Sequence, residues 1–286
     1  MEPLLELKGV CKSYPSFSLQ NVGFTVPEGS IMGLIGENGA GKTTTILLIL
    51  NEIRRGGGTI RIFGKDNIED ETAVKEQIGV VLDENCFSGE FRARDVNLIL
   101  SRIFRTWDRD LFYRYLSDFS LPDDKKIKDY SRGMRMKLNI AAALAHRPRL
   151  LILDEATSGL DPVMRSDILD LLLDFIQDER CGVLFSSHIT SDLERVADSI
   201  TFLHEGKIVF SRAKDELEEH MGLLKCGASQ FERLDPADFL RVRRGAFQCE
   251  ALVADRAAAG KKYPDLLIEA APLDEIMLLY AKGETA

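Results

Sequence analysis

Between residues 36 and 43 the chain reads Gly36-Glu37-Asn38-Gly39-Ala40-Gly41-Lys42-Thr43, which meets the pattern G-x-x-x-x-G-K-[ST] at every fixed position. The glycines let the backbone turn tightly and aim successive N–H groups inward. That nest of partial positive charge, at a helix N-terminus, suits phosphates. Lys42 adds a full charge, the Thr43 hydroxyl can ligate a Mg²⁺ shared with phosphate oxygens, and Thr44 adds a second hydroxyl to the phosphate lining. Further along, Asp154 and Glu155 follow the apolar run Leu150-Leu151-Ile152-Leu153. Asp154 is placed to hold the metal through water, and Glu155 to take a proton from an attacking water, as phosphoryl transfer to water requires. Val183-Leu184-Phe185-Ser186-Ser187 ends in His188, which reads either as a structural histidine or as a group emerging on the same edge as the two carboxylates.

These residues need a strand, a loop and a helix around the phosphate loop. Ser30 to Ile35 supplies an apolar strand and Thr44 to Leu50 a helix. Leu150 to Glu155 and Val183 to His188 read as buried parallel strands, which deliver their C-terminal residues to one ligand crevice. Leu4 to Tyr14 and Val22 to Val26 alternate as strands, Thr59 to Gly64 is a short strand after a glycine break at Gly56 to Gly58, and Ile78 to Leu82 is a buried strand. Tyr14 is either a surface tyrosine or a flat ring for an adenine.

From about residue 86 to 145 the pattern turns helical. Asp95 to Phe104 and Arg109 to Phe119 carry apolar residues at helical spacing, and Tyr130-Ser131-Arg132-Gly133-Met134-Arg135 opens a helix through Leu144. Asp161 caps a helix with Pro162 at its first position, and Met164, Ile168, Leu171, Leu172, Phe175 and Ile176 form one core stripe. Ile200 to Leu203 and Ile208 to Phe210 flank Glu205-Gly206 as a hairpin. Beyond Asp215 the pieces are short and weakly patterned, read as a small α/β appendage with a terminal helix from Leu273 to Tyr280 and a basic cluster at Arg241, Arg243 and Arg244.

The formal charge of −9 disfavours a general nucleic-acid binder, whose affinity comes from cations on phosphates. It also disfavours docking on anionic lipid. Five scattered cysteines without a C-x-x-C pair predict neither structural zinc nor disulfides. Met1-Glu2-Pro3 lacks a secretory leader's features, and no stretch is long and apolar enough to span a membrane, so any service to a membrane runs through a partner.

The order of motifs across about residues 4 to 210 resembles the nucleotide-binding subunit of ATP-binding cassette (ABC) transporters. The matching motifs are the phosphate loop Gly36 to Thr43, a loop at Asp83, the signature Ser131-Arg132-Gly133-Met134, the strand ending in Asp154-Glu155, the turn Ser158 to Asp161, and His188. The resemblance implies an α/β fold: a P-loop ATPase core with a mainly parallel sheet, an N-terminal antiparallel β subdomain, a helical signature subdomain and a small C-terminal α/β appendage. It divides the chain into a nucleotide-binding domain at 1–215 and an accessory region at 216–286. It implies ATP and Mg²⁺ as ligands, with Tyr14 stacked on adenine and His188 joining Glu155 and Lys42 in catalysis. It also implies a head-to-tail homodimer or heterodimer with ATP sandwiched between subunits, where Ser131 and the Gly133 N–H cap the γ-phosphate held by the other subunit. A separate integral membrane permease is the expected partner, with the ATPase peripheral on the cytoplasmic face and soluble when expressed alone.

Tyr130, Arg132 and Met134 depart from the usual Leu-Ser-Gly-Gly-Gln signature and resemble the exporter branch with separate permease chains. Asp83 stands where a glutamine is usual and is expected to contact metal-bound water, with Glu84 pointing away. Rival readings are a non-transport cassette ATPase acting on nucleic acid or translation, and a nucleotide sensor without turnover. The short stretch between Lys42 and Ser131, without heptads, speaks against a chromosome-type member. A single phosphate loop speaks against a translation factor, and the intact Glu155 against a sensor.

Overall fold

Six strands meet in one sheet, in the order Lys207–Ala213, Ser199–His204, Ile31–Ile35, Gly182–Ser187, Leu150–Asp154, Ile78–Val81. The computed structural model describes residues 2–82, 86–245 and 247–285. Ile31–Ile35, Leu150–Asp154 and Gly182–Ser187 are buried at every position, so they are covered on both faces and show no alternation. Burial contributes about 1.5–3 kcal/mol for each large aliphatic side chain removed from water. Pairing among the last four strands is parallel and places Ile35 beside Ser187 and Asp154 beside Ser186. All their C-terminal ends therefore open on one edge.

A second sheet runs Ser18–Val26, Leu5–Ser13, Gly57–Ile62, Lys65–Asp66, antiparallel throughout. The glycine break expected at 56–58 is instead the start of a strand, because Gly57 pairs across the sheet with Cys11. The helical region has its own core, in which Val96, Phe112, Leu116, Ile127 and Leu138 pack together. Its first helix is Ala93–Ile103 rather than starting at Asp95. Asp95 occupies the third helical position and accepts the Arg92 N–H at 2.8 Å, an N-terminal cap. The next, Arg109–Asp118, is capped by Asp108, which accepts from the Leu111 N–H at 2.9 Å.

The helix Pro162–Phe175 begins as expected, with the Asp161 carboxylate accepting from Val163 and Met164. Its stripe is only partly core: Ile168, Leu169 and Leu172 are buried, whereas Met164, Leu171, Phe175 and Ile176 are half-buried. No helix among the described residues is long and apolar enough to cross a membrane.

Two compact units divide the chain, Met1–Ala197 with Thr201–Val209, and Asp198–Ile200 with Phe210–Ala286. The second contains an antiparallel sheet in the order Arg241–Arg244, Cys249–Val253, Gly222–Cys226, Ile268–Ala270. Its terminal helix Leu273–Lys282 lies between Pro272 and Gly283. The basic cluster belongs to this sheet. Arg243 is paired with Glu250 and lies 3.6 Å from Glu275, and the Arg241 guanidinium stacks over the Tyr280 ring at 4.8 Å.

Candidate active site

The phosphate loop leaves the strand Ile31–Ile35 and enters the helix Lys42–Ile49. Two of its glycines are required for different reasons. A side chain at Gly36 would drive into the Leu203 carbonyl, whereas Gly39 has open space around it but a φ of 86°. Ala40 is buried and its carbonyl accepts from the Gly206 N–H at 3.1 Å, fastening the loop to the hairpin turn. Glu37 Oε1 lies 3.2 Å from His204 Nδ1. The loop is thus braced from the sheet side, leaving Asn38 and Gly39 exposed.

Lys42 is 5% exposed and its ammonium donates to the Gly36 carbonyl at 2.7 Å. It also lies 3.2 Å from Glu155 Oε1. The other oxygen of that carboxylate, Oε2, is 2.6 Å from His188 Nδ1. One carboxylate therefore joins the phosphate-loop lysine to the strand-end histidine.

The strand stops at Asp154, one residue earlier than expected, and Glu155 has a φ of 53°. Alternation along a continuing strand would send the two carboxylates to opposite faces. The left-handed step instead keeps Glu155 on the ligand edge, with its N–H donating to Ser186 O at 3.0 Å and its carbonyl accepting from Ser158. For a residue with a Cβ this conformation costs about 1–2 kcal/mol.

Asp154 is 4% exposed. Its Oδ2 accepts from Thr43 Oγ1 at 2.7 Å and its Oδ1 from Ser186 Oγ at 2.8 Å. A hydroxyl and a carboxylate in contact form an all-oxygen donor set, which fits a hard divalent cation such as Mg²⁺. Among the described residues no cluster of three or more His, Cys, Asp or Glu could hold a metal. Such a sparse protein contribution suits a cation that keeps waters and takes phosphate oxygens. Thr44 is half-buried in the same helical turn, while the buried Thr45 hydroxyl donates to Gly41 O at 2.9 Å.

Tyr14 is 43% exposed and lines a cavity of about 550 Å³ together with Phe17, Glu37, Asn38, Gly39 and Glu205. The Lys12 ammonium stands 5.3 Å from its ring centroid. The ring and the outer phosphate loop thus face one cleft. Ser131 and Gly133 stand elsewhere, at the start of the helix Arg132–Leu144. Ser131 Oγ caps that helix by accepting from the Met134 N–H at 3.2 Å, and Gly133 is covered by the Met164 side chain. Asp83 and Glu84 lie outside the described residues.

Sequence reasoning missed Ser186, whose hydroxyl fixes Asp154, and the buried Thr157 and Asp192, with the half-buried Arg165, behind Glu155. Two hydroxyl residues at the end of an otherwise apolar strand were the available signal for the first.

The family description "ABC transporter" matches residues 19–158. Over 222 residues the chain is 32% identical to the bacitracin transport ATP-binding protein BcrA of Bacillus licheniformis, spanning 77% of this chain and 72% of that protein. It is 31% identical over 230 residues to the daunorubicin/doxorubicin resistance ATP-binding protein DrrA of Streptomyces peucetius, spanning 76% of this chain and 68% of the relative. A solved ATP-binding subunit of an ABC transporter superposes with a TM-score of 0.69 and 27% identity, over 75% of this chain and 92% of that one. Likeness of this extent, carried by a phosphate loop and carboxylates gathered on one sheet edge, places the chain in the ABC transporter family as an ATP-binding subunit that hydrolyses ATP for transport.

Proposed function

We propose that this subunit drives an exporter, hydrolysing MgATP at a dimer interface on the cytoplasmic membrane face and passing the motion to a separate permease. The names of BcrA and DrrA, one a bacitracin transport and the other a drug resistance ATP-binding protein, support export. The nucleotide-binding domain is assigned to residues 1–215 and an accessory role to 216–286.

The observation that carries the catalytic assignment is the chain Lys42, Glu155, His188, with separations of 3.2 and 2.6 Å. The loop amides of Gly36 to Thr43 and the Lys42 ammonium hold the β- and γ-phosphates, and Tyr14 stacks on the adenine. Thr43 and Asp154 would hold Mg²⁺, which when bound would supply charge neutralisation to the phosphates. Arrival of the γ-phosphate at Lys42 releases Glu155 from the lysine. The freed carboxylate takes a proton from a water, whose oxygen attacks phosphorus in line as the bond to the ADP oxygen breaks. His188 keeps Glu155 oriented and faces the γ-phosphate. Ser131 and Gly133 of a second subunit complete the cage from the opposite side.

A cavity of about 470 Å³ lies between the phosphate-loop helix and the helical region, lined by Leu47, Leu50, Leu100, Phe104 and Ala142. The helix carrying Leu100 also exposes Leu98, Ile99 and Ile103. These apolar groups are assigned to the permease.

Two substitutions test the reading. Lys42→Ala should weaken ATP binding, whereas Glu155→Gln should bind ATP, accumulate a dimer and lose turnover by about three orders of magnitude. Unchanged turnover in Glu155→Gln would remove that residue as the base.

A further inference from the structure

Asp192 is 1% exposed, a carboxylate enclosed behind the site. It lies on the helix Thr190–Val196, which starts two residues after His188. Its Oδ2 accepts from Thr157 Oγ1 at 2.7 Å, and its Oδ1 from Arg165 Nε. The same guanidinium donates through NH2 to Ser191 Oγ at 2.8 Å. Thr157 is 1% exposed and follows Glu155 by two residues, inside the turn closed by the Ser158 N–H on the Glu155 carbonyl. Arg165 belongs to the helix Pro162–Phe175 that this turn leads into.

Burying a carboxylate carries a desolvation penalty that a hydrophobic side chain of similar volume would avoid. Simple packing between the two helices does not call for it, and an exposed link already joins them: Arg195 NH2 donates to Asp170 at 2.6 Å and NH1 to Ser166 at 2.9 Å. What Asp192 adds is a connection between the two loops that carry Glu155 and His188. In front, those loops meet through the Glu155–His188 contact, which the arrival of a phosphate must rearrange. Behind, they meet through Thr157 and Asp192, shielded from water and from the nucleotide.

We propose that Asp192 is a positioning residue for ATP hydrolysis. It clamps the turn after Glu155 to the helix after His188, so that the two side chains exchange partners while their backbones stay in register. The inference rests on the assignment of Glu155 and His188 given above.

The test uses the full chain, measuring kcat and KM for ATP, equilibrium ATP affinity and far-ultraviolet circular dichroism. Asp192→Ala and Thr157→Val should each lower kcat about ten- to a hundredfold, the loss expected for a small misplacement of reacting groups, with ATP affinity held within about threefold. Thr157→Ser, which keeps the hydroxyl, should restore kcat. Arg195→Ala, which breaks only the exposed link, should leave kcat unchanged. Should Asp192→Ala fail to fold, the Thr157→Val and Thr157→Ser pair decides the matter alone. The proposal is overturned if folded Asp192→Ala and Thr157→Val keep full kcat, if affinity falls in step with kcat, if Thr157→Ser does not rescue, or if Arg195→Ala is equally damaging. Glu155→Gln in the same series separates the two levels. If it is inactive while the Asp192 and Thr157 variants stay active, only the clamp fails; if it keeps turnover, the site assignment fails and the clamp with it.

Discussion

Lys42 and Glu155 form an ion pair at 3.2 Å, so the cation of the phosphate loop is shared with a carboxylate from a neighbouring strand end. A phosphate that takes up Lys42 must compete with Glu155. Removing the carboxylate charge removes the competitor, and Glu155→Gln is expected to bind ATP about fivefold more tightly, or ~1 kcal/mol. Equilibrium titration with ATP checks this; weaker binding would show that the pair does not oppose the phosphate.

The two loop glycines should respond differently to alanine. Gly36→Ala places a methyl against the Leu203 carbonyl at the end of a buried strand, and the folded loop cannot accept it. Gly39→Ala meets no neighbour and bears only the left-handed backbone, at about 1 kcal/mol. Thermal unfolding and ATP binding should show Gly39→Ala folded and competent, and Gly36→Ala unable to bind.

Ser186→Ala removes one of the two hydroxyl donors that orient the buried Asp154. Stability should fall by about 1–2 kcal/mol, and the Mg²⁺ concentration for half-maximal ATPase should rise several-fold. Urea unfolding and a Mg²⁺ titration read the two effects separately, and an unchanged Mg²⁺ requirement would exclude Ser186 from orienting the carboxylate.

His146 gives the fold a pH dependence of known sign. The ring is 2% exposed, stacks on Phe104 with centroids 4.1 Å apart, and donates from Nε2 to Ile78 O at 3.0 Å. Burial holds its pKa below the ordinary value of 6.5. Above that pH both folded and unfolded chains carry a neutral ring. Below it the unfolded chain takes the proton first, so this contribution to stability is lost as pH falls, at most by ~1.4 kcal/mol per pH unit. His146→Gln should flatten the stability profile between pH 5 and 6.5 in urea unfolding, and an unchanged slope there would count against the assignment.

How far the site was legible depended on what each residue type constrains. Gly36 to Thr43 was readable because loop geometry and phosphate chemistry together fix nearly every position. Asp154 was readable as the first charge after an apolar run. The turn at Glu155 was not, since a positive φ leaves no mark in a sequence when the residue is not glycine. Ser186 and Asp192 were hidden for another reason: their roles come from partners brought by parallel pairing and helix packing, which are non-local. In the second unit the strands are only three to five residues long, and on Arg241–Arg244 the Arg243 side chain pairs with Glu250 and Glu275 while Arg241 stacks on Tyr280. Their charge therefore masked a strand.

The left-handed backbone at Glu155 sets stability against activity at a single position. Glycine or asparagine would occupy that conformation with less strain, and Glu155→Gly relieves it outright. The same exchange would remove the side chain that joins Lys42 to His188 and leave the buried Lys42 ammonium without that counter-ion, so relief of strain and loss of the pair oppose one another. Glutamate at this position thus bears a backbone strain while its carboxylate holds the contacts to Lys42 and His188.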